Sequence, residues 1–236
     1  MLLSEPNLKP NNQLTFTPAI LATNLAKSVG EGDNAIEILR NLNLTISQGE
    51  SVAIVGSSGS GKSTLLGLLA GLDNPTSGSV TVEGALFSGL DEDARAAVRG
   101  KRMGFVFQSF QLLGTMTALE NVMLPLQLAN RADAELVAMA TLEKVGLSER
   151  LTHYPKQLSG GEQQRVAIAR AFAPQPAILF ADEPTGNLDI NTGERIIDLL
   201  FSLNQASNST LILVTHDEKL AQRCSRVLVL SNGRLA

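Results

Sequence analysis

The stretch Gly56-Ser57-Ser58-Gly59-Ser60-Gly61-Lys62-Ser63 lies between a short apolar run, Val52–Val55, and a helical run that starts at Thr64. It fits the pattern G-x-x-x-x-G-K-[S/T] in the strand–loop–helix context that this pattern requires. Three glycines allow the backbone to curl so that successive N–H groups face a phosphate, and the start of the helix adds the positive end of its dipole. The sequence therefore predicts a nucleotide site, in which Lys62 neutralises the β- and γ-phosphates and Ser63 binds Mg²⁺.

The alternative explanation of this stretch, which we call the phosphate loop, is a Ser/Gly-rich linker that matches the pattern by accident. A match somewhere in a chain of this length is expected by chance on the order of 1 time in 100. The flanking strand and helix patterns favour the nucleotide site. The predicted nucleotide-binding residues of this segment are Gly56, Ser57, Ser58, Gly59, Ser60, Gly61, Lys62, Ser63 and Thr64.

The composition is that of a globular protein. The 236 residues are 44% hydrophobic and 18% charged, which is enough to bury a core. A net charge of -4 argues against binding to nucleic acid, and the single cysteine, Cys224, excludes an intrachain disulfide.

We expect residues 1–18 to form a flexible leader without signal-peptide character. The longest apolar stretch, about Leu65 to Leu72, is too short to span a bilayer, so a role at a membrane would require a partner.

Short apolar runs alternate with helical patterns from residue 19 to the end, which we take as one domain (19–236). Strands that are apolar on both faces and separated by helices predict an α/β fold with a mostly parallel, covered sheet. The helices Ala118–Asn130 and Asp133–Val145 lie between strands and predict an inserted helical sub-domain. Two further helices are predicted at Asn191–Gln205 and Glu218–Cys224. The predicted strands are Ile36–Ile46, Val52–Val55, Ser79–Glu83, Met103–Phe107, Ala177–Phe180, Thr210–Val214 and Arg226–Leu230.

Two carboxylates, Asp182 and Glu183, follow the apolar strand that starts at Ala177. A buried parallel strand delivers its last residues to the edge of the sheet where the phosphate loop also lies. Asp182 is then placed to hold Mg²⁺, and Glu183 to orient and deprotonate the attacking water. The alternative is a pair that caps the next helix, but the presence of the phosphate loop favours the catalytic role.

A second phosphate-seeking element is Leu158-Ser159-Gly160-Gly161-Glu162-Gln163-Gln164-Arg165, a polar turn that opens a helix with an apolar face. The start of such a helix is an anion site, although an ordinary helix capped by Ser159 is the simpler explanation. This segment, the signature, resembles the signature sequence of the ATP-binding cassette (ABC) family. The resemblance distinguishes the chain from kinases, GTPases and RecA-type ATPases, which share only the phosphate loop.

Other markers of the family follow in its order, and the resemblance covers about residue 19 to the end. Gln108 matches the glutamine of the Q-loop, Gly186–Asp189 matches the D-loop with Asp189, and His216 matches the switch histidine. His153 has no such context, and we expect it to be structural. The resemblance implies a P-loop NTPase fold with a RecA-like mixed sheet, an antiparallel β sub-domain and a helical sub-domain at about 110–173.

The resemblance also implies how the site is completed. Two cassettes pair head to tail, so that ATP on the phosphate loop of one copy is contacted by the signature of the other. The implied cofactors are ATP and Mg²⁺, with Glu183 and His216 as catalytic residues and Ser63, Gln108 and Asp182 as metal ligands. The signature residues expected to contact ATP in the partner are Leu158, Ser159, Gly160, Gly161 and Glu162.

Several segments resemble the LolD/MacB/FtsE group of cassettes: Gly104–Gln108, Leu112–Leu113, Thr117–Val122 and Glu183–Asp189. The YbbA branch of that group is the most similar over Lys27–Gly30, Phe107–Phe110 and Leu200–Asn204. This resemblance implies an FtsX/MacB-like permease, YbbP-like in that branch, at the cytoplasmic face of the inner membrane. It implies movement of a hydrophobic or lipid-like compound. The alternative is an FtsE-like signalling or scaffolding ATPase that controls an envelope enzyme without transport.

Cassettes outside transport fit less well. Those of DNA repair carry a long coiled coil between phosphate loop and signature, where this chain has only about 95 residues without heptads.

Two departures from the family stand out. Val29 replaces the aromatic residue that stacks on adenine, so preference for ATP over GTP is in question, and Gly114 stands where the group often has proline. Phe110, Leu112 and Leu113 are candidate permease contacts, or else part of the sub-domain core.

Overall fold

The computed structural model describes residues 17–30 and 35–236, so the predicted leader lies outside the described residues except for Thr17 and Pro18. The strands are β1 (Ile20–Val29), β2 (Ile36–Ile46), β3 (Ser51–Val55), β4 (Ser77–Val82), β5 (Ala85–Leu86), β6 (Met103–Phe107), β7 (Ile178–Asp182), β8 (Thr210–Val214), β9 (Arg226–Ser231) and β10 (Arg234–Leu235). The helices are α1 (Lys62–Leu69), α2 (Glu92–Arg102), α3 (Ala118–Leu128), α4 (Ala134–Lys144), α5 (Gly160–Phe172), α6 (Ile190–Ser207) and α7 (Glu218–Ala221), with 3₁₀ turns at Ser148–Arg150 and Pro155–Gln157.

Two sheets are present in the described chain. A four-stranded antiparallel sheet has the order β2-β1-β4-β5, and a six-stranded sheet has the order β10-β9-β3-β8-β7-β6. In the larger sheet β9, β3, β8, β7 and β6 are parallel, and only β10 pairs antiparallel to its neighbour. This is the mostly parallel sheet that the apolar runs predict, with the antiparallel sheet that the family resemblance implies.

The register of the larger sheet aligns the ends of four strands. Ile54 of β3 pairs with Val214 of β8, Val214 with Asp182 of β7, and Asp182 with Phe107 of β6. Parallel strands present their carboxyl ends at one edge, so the segments that follow these residues are neighbours in space. This edge carries the candidate site.

Three apolar clusters account for the described core. One packs α1 and the antiparallel sheet on one face of the parallel sheet, and a second packs α6, α7 and part of α5 on the other face. The third lies among α3, α4 and α5, between Ala118 and Ala173. Among the described helices, none combines the length and the apolar character that crossing a bilayer demands.

The predicted strands are all present, with ends displaced by a few residues, but the sequence patterns did not reveal β1, α2 or the two-residue strands β5 and β10. In β1 the alternation of apolar and polar residues is broken by register shifts around Asn24, which has φ of 50°. In α2 the one buried residue is Arg95, so the helix shows no apolar stripe. The helix predicted at Glu218–Cys224 ends at Ala221, because Arg223 and Cys224 donate to carbonyls three residues back.

Candidate nucleotide-binding and catalytic site

The phosphate loop connects β3 to α1 and is shaped by its glycines. Gly59 and Gly61 have φ of 77° and 100°, in the left-handed region that glycine tolerates best. A Cβ on Gly61 would lie 2.8 Å from Leu39 Cδ2, so β2 packs directly on the loop. Lys62 Nζ donates to the carbonyls of Gly56 (2.8 Å) and Ser57 (3.0 Å). The ammonium group therefore lies across the loop.

The start of α1 is suited to an anion. No side chain caps this helix, and its first turn contains no acidic residue. Free N–H groups and the helix dipole are thus left for a negatively charged ligand. The hydroxyl of Ser60 is buried without a partner in the described structure, while Ser57, Ser58 and Gly59 are exposed. These observations fit the phosphates of a nucleotide.

Asp182 ends β7 beside Ser63, the second residue of α1. The Ser63 hydroxyl lies 3.5 Å from Asp182 Oδ1. Burial, and then the charge of Glu183, raises the pKa of Asp182 above its usual value. A divalent cation would relieve both effects, and hydroxyl and carboxylate oxygens are ligands that Mg²⁺ accepts. The pair therefore fits the predicted metal site.

Glu183 follows in a strained backbone conformation. Its φ is 46°, and its N–H donates to the carbonyl of Val214 at 2.9 Å, which fixes it to the end of β8. Its carboxylate lies 2.9 Å from Nδ1 of His216, which follows β8. The His216 side chain is 75% exposed and that of Glu183 is 20% exposed. A carboxylate held this way has the geometry of a general base that an imidazole orients.

Gln108, after β6, is joined to the D-loop. Asn187 Nδ2 donates to the Gln108 carbonyl at 2.9 Å, and Gln108 Nε2 donates to Asn187 Oδ1 at 3.2 Å. A Cβ on Gly186 would come within 2.6 Å of the Gln108 amide, so this glycine permits the contact. Asp189 caps α6 by accepting from the N–H of Thr192. Hydrogen bonding from the Thr192 side chain, and then from the Thr192 N–H, lowers the pKa of Asp189.

The signature opens α5 on a different part of the molecule, against α3 and α4. Ser159 and Glu162 form a capping box, and Arg150 Nε donates to Glu162 at 2.9 Å. The bonds from Ser159, and then from Arg150, lower the pKa of Glu162 to about 2. Ser159 therefore caps the helix, as the simpler explanation expects, and it is exposed at the helix start, while its role as an anion contact stays a prediction.

Close packing surrounds the signature glycines. A Cβ on Gly160 would lie 3.3 Å from Leu188, and one on Gly161 would lie 2.7 Å from Thr192, so the start of α5 touches the D-loop and α6. Leu158 is buried. Within residues 17–30 and 35–236, no hydrogen bond joins the signature to the phosphate loop of the same copy. The phosphate loop, the acidic pair, Gln108 and His216 thus meet at the carboxyl edge of the parallel sheet. The signature is not bonded to the phosphate loop there.

Gln164 is a site residue that sequence reasoning missed. It is fully buried, and its Nε2 donates to the carbonyl of Pro184 at 2.6 Å. This bond ties the signature helix to the turn that carries Glu183. The available signal was a polar residue on the apolar face of α5, one turn before the buried Ile168.

The structure also places Val29, the candidate permease contacts and His153. Val29 of β1 is 54% exposed and pairs with Ile36 of β2, which is 71% exposed, so aliphatic groups occupy this surface. Leu112 packs into the helical cluster, whereas Leu113 is 43% exposed. The backbone carbonyl of His153 accepts from the N–H of Ala118.

Comparisons with known proteins agree with this geometry. A sequence profile described as "ABC transporter" matches residues 39–186. The chain is 57% identical to the uncharacterized ABC transporter ATP-binding protein YbbA of Escherichia coli (strain K12), covering 89% of this chain and 93% of that protein. It is 52% identical to the lipoprotein-releasing system ATP-binding protein LolD of Legionella pneumophila (strain Lens), covering 89% and 94%.

A solved structure, a dimeric post-hydrolysis state of the ATP-binding cassette MJ0796 bound to ADP and Pi, is also similar. It matches with a TM-score of 0.84 and 42% identity, covering 92% of this chain and 96% of that one. The predicted fold, a P-loop NTPase with both sheets, is confirmed by this likeness and by the topology described above.

Proposed function

Because this chain belongs to the ABC transporter family, we propose that it is the ATP-binding and ATP-hydrolysing subunit of an envelope transport system. The observation that carries the proposal is the register of the parallel sheet. It aligns Ile54, Val214 and Asp182, so that the phosphate loop, the acidic pair and His216 follow neighbouring strand ends. That arrangement brings phosphate binding and a candidate base to one edge.

The chemistry follows from these side chains. The phosphate loop and Lys62 bind the phosphates, while Ser63, Asp182 and Gln108 would hold Mg²⁺, which would supply positive charge against the developing charge of the phosphates. Glu183 accepts a proton from water as the water oxygen bonds to the γ-phosphorus and the bond to the β-phosphate oxygen breaks. His216 keeps the Glu183 carboxylate oriented through its 2.9 Å contact.

We propose that two copies pair head to tail, so that each signature completes the site of the other. The exposed Ser159, at a helix start that is not bonded to its own phosphate loop, supports this arrangement. The dimeric MJ0796 structure provides a precedent in a related cassette. Asp189 and Leu158 then lie on elements next to the interface, with the D-loop in contact with Gly160.

The membrane partner we propose is an FtsX/MacB-like permease, YbbP-like in view of the similarity to YbbA. The site of action would be the cytoplasmic face of the inner membrane. The LolD relatives are named for lipoprotein release, which supports a hydrophobic or lipid-like cargo. We assign residues 110–173 to a helical sub-domain, supported by its own apolar cluster, and Leu113 on its surface is the best placed candidate contact.

The test of the enzymatic proposal is phosphate release from Mg²⁺-ATP by the purified chain. We expect turnover that Lys62→Met abolishes, with Lys101→Met, an exposed lysine of α2, as the matched control. Equal turnover by the Lys62→Met variant and the native chain would refute the assigned site.

The partner is tested by capturing Glu183→Gln with ATP from membranes. A co-purified permease is expected, and its absence would contradict a transport subunit. Release of lipid or another hydrophobic compound by the complex supports transport. Activation of a cell-wall enzyme without such release would favour the FtsE-like alternative.

A further inference from the structure

The segment after Gln108 has an unusual backbone. Phe110 and Gln111 are consecutive non-glycine residues with φ of 61° and 49°. The left-handed region is disfavoured for side chains of this size, and two such residues in a row require external support. The N–H of Gln111 donates to the carbonyl of Ser109 at 2.6 Å, which tightens the turn. This bond leaves the carbonyls of Phe110 and Gln111 themselves without a donor. The two carbonyls of the strained pair therefore need a donor.

That donor is Arg170, in the last turn of α5. Its Nη2 donates to the carbonyl of Phe110 at 3.0 Å and its Nη1 to the carbonyl of Gln111 at 2.6 Å. The planar guanidinium presents two N–H groups in a fixed fork, which suits a pair of adjacent carbonyls. In this left-handed pair both carbonyls thus bind the same guanidinium group.

The charge of Arg170 has no balancing carboxylate in the described chain. Burial lowers its pKa, and no carboxylate among residues 17–30 and 35–236 opposes that effect. Other arginines of α2 and the helical region, such as Arg102 and Arg131, pair with acidic residues. A desolvated cation is costly unless its contacts compensate, so the two carbonyls are what hold it in place.

These contacts lie close to the reacting groups. Gln108 is two residues before Phe110, and its other side is fixed to Asn187 of the D-loop. The loop from Gln108 to Gln111 is therefore held at one end by the D-loop and at the other by the signature helix. A change at either anchor would displace the Gln108 amide.

We propose that Arg170 is a positioning residue for hydrolysis, which fixes the carbonyls of Phe110 and Gln111 and thereby the place of the Gln108 amide at the Mg²⁺ and γ-phosphate. This inference rests on the proposed ATPase function. A merely structural arginine would change stability and all activities together. A positioning residue changes turnover and Mg²⁺ dependence while nucleotide affinity persists.

The experiment compares Arg170→Met, Arg170→Lys and the control Arg131→Met, which removes a surface arginine paired with Asp133. We expect Arg170→Met to lower kcat about tenfold and to raise the Mg²⁺ concentration for half-maximal rate, with nucleotide Kd changed less than about twofold. Lysine, with one point donor for two carbonyls, should rescue part of the rate. Unchanged kcat in Arg170→Met would overturn the proposal.

A double-mutant cycle with Gln108→Ala tests the route of the effect. If Arg170 acts through Gln108, Arg170→Met lowers kcat in the native background but less than about twofold in the Gln108→Ala background. Equal losses in both backgrounds would reject the route.

Amide exchange gives a readout that does not depend on activity. The amides of residues 109–113 should exchange at least about tenfold faster in Arg170→Met than in the native chain. If the native chain lacks ATPase activity but exchange rises as expected, the proposed function fails while the anchoring role stands. Unchanged exchange at these amides contradicts the anchoring role itself.

Discussion

Replacing Glu162 by alanine should destabilise the start of the signature helix by a calculable amount. The Glu162 carboxylate accepts from the N–H of Ser159 (2.9 Å), the Ser159 hydroxyl (2.8 Å) and Arg150 Nε (2.9 Å). Loss of the capping box costs about 1 kcal/mol, and the partly exposed ion pair adds up to about 1 kcal/mol. A pKa lowered from 4.5 to about 2 corresponds to at most about 3 kcal/mol at pH 7.

The expected loss at pH 7 is therefore about 2 kcal/mol, or a fall in Tm of about 4–8 °C for a chain of this length. The sign of the pH dependence follows from a pKa that folding lowers. The stabilisation by Glu162 is complete above pH 4.5 and is lost as the pH falls toward 2, since over that interval the unfolded carboxyl binds a proton that the folded carboxyl does not. The difference in the free energy of unfolding between the native chain and the variant should shrink over that interval.

Urea unfolding of the native chain and of Glu162→Ala, repeated from pH 7 down to pH 3, measures the loss of unfolding free energy and its pH dependence. The matched control is Glu149→Ala, an exposed residue in the preceding turn. Its stability should stay within about 0.5 kcal/mol of the native value. Unfolding of Glu162→Ala at the native urea concentration at pH 7 would show that these bonds do not stabilise the helix. A difference in unfolding free energy that stays constant down to pH 3 would show that the lowered pKa of Glu162 does not stabilise the fold.

Three further outcomes can be measured. Glu183→Gln keeps the size of the side chain and should lower kcat for phosphate release by about 10²–10⁴, with ATP still bound; a native rate would exclude Glu183 as the base. Val29→Tyr should tighten ATP binding about tenfold in a titration with the nucleotide by adding a stacking surface; unchanged affinity would show that the base does not lie there. Burial raises the pKa of Cys224 to about 11, so iodoacetamide at pH 8 should label it only after urea unfolding, and rapid labelling of the folded chain would contradict this burial.

The reacting groups were predictable because each ends or follows a short apolar strand. Asp182 is the last residue of β7, and the phosphate loop, Gln108 and His216 follow β3, β6 and β8 within two residues. The rule that parallel strands end at one edge brings them together. The strands themselves were visible as runs of β-branched and apolar residues. Where the periodicity is lost, as in the bulged β1 and the polar α2, sequence patterns carried no signal.

The supporting contacts were not predictable in the same way. Gln164 reaches Pro184, and Arg170 reaches Phe110 about 60 residues earlier in the chain. Neither contact follows from local spacing, since both depend on how α5 packs against the end of the sheet. The sequence likewise gives no signal for the left-handed pair at Phe110 and Gln111, because neither residue type favours that conformation.

In the proposed head-to-tail dimer, each ATP site is completed by the signature of a second copy. Light scattering on Glu183→Gln with Mg²⁺-ATP measures this pairing, with Mg²⁺-ADP as the comparison. We expect twice the mass of the 25.0 kDa chain with ATP and the mass of one chain with ADP. A Ser159→Arg change in the same variant, at the exposed start of α5, should restore the single-chain mass. A single-chain mass at saturating ATP, in a preparation whose native form hydrolyses ATP, would contradict the proposed dimer.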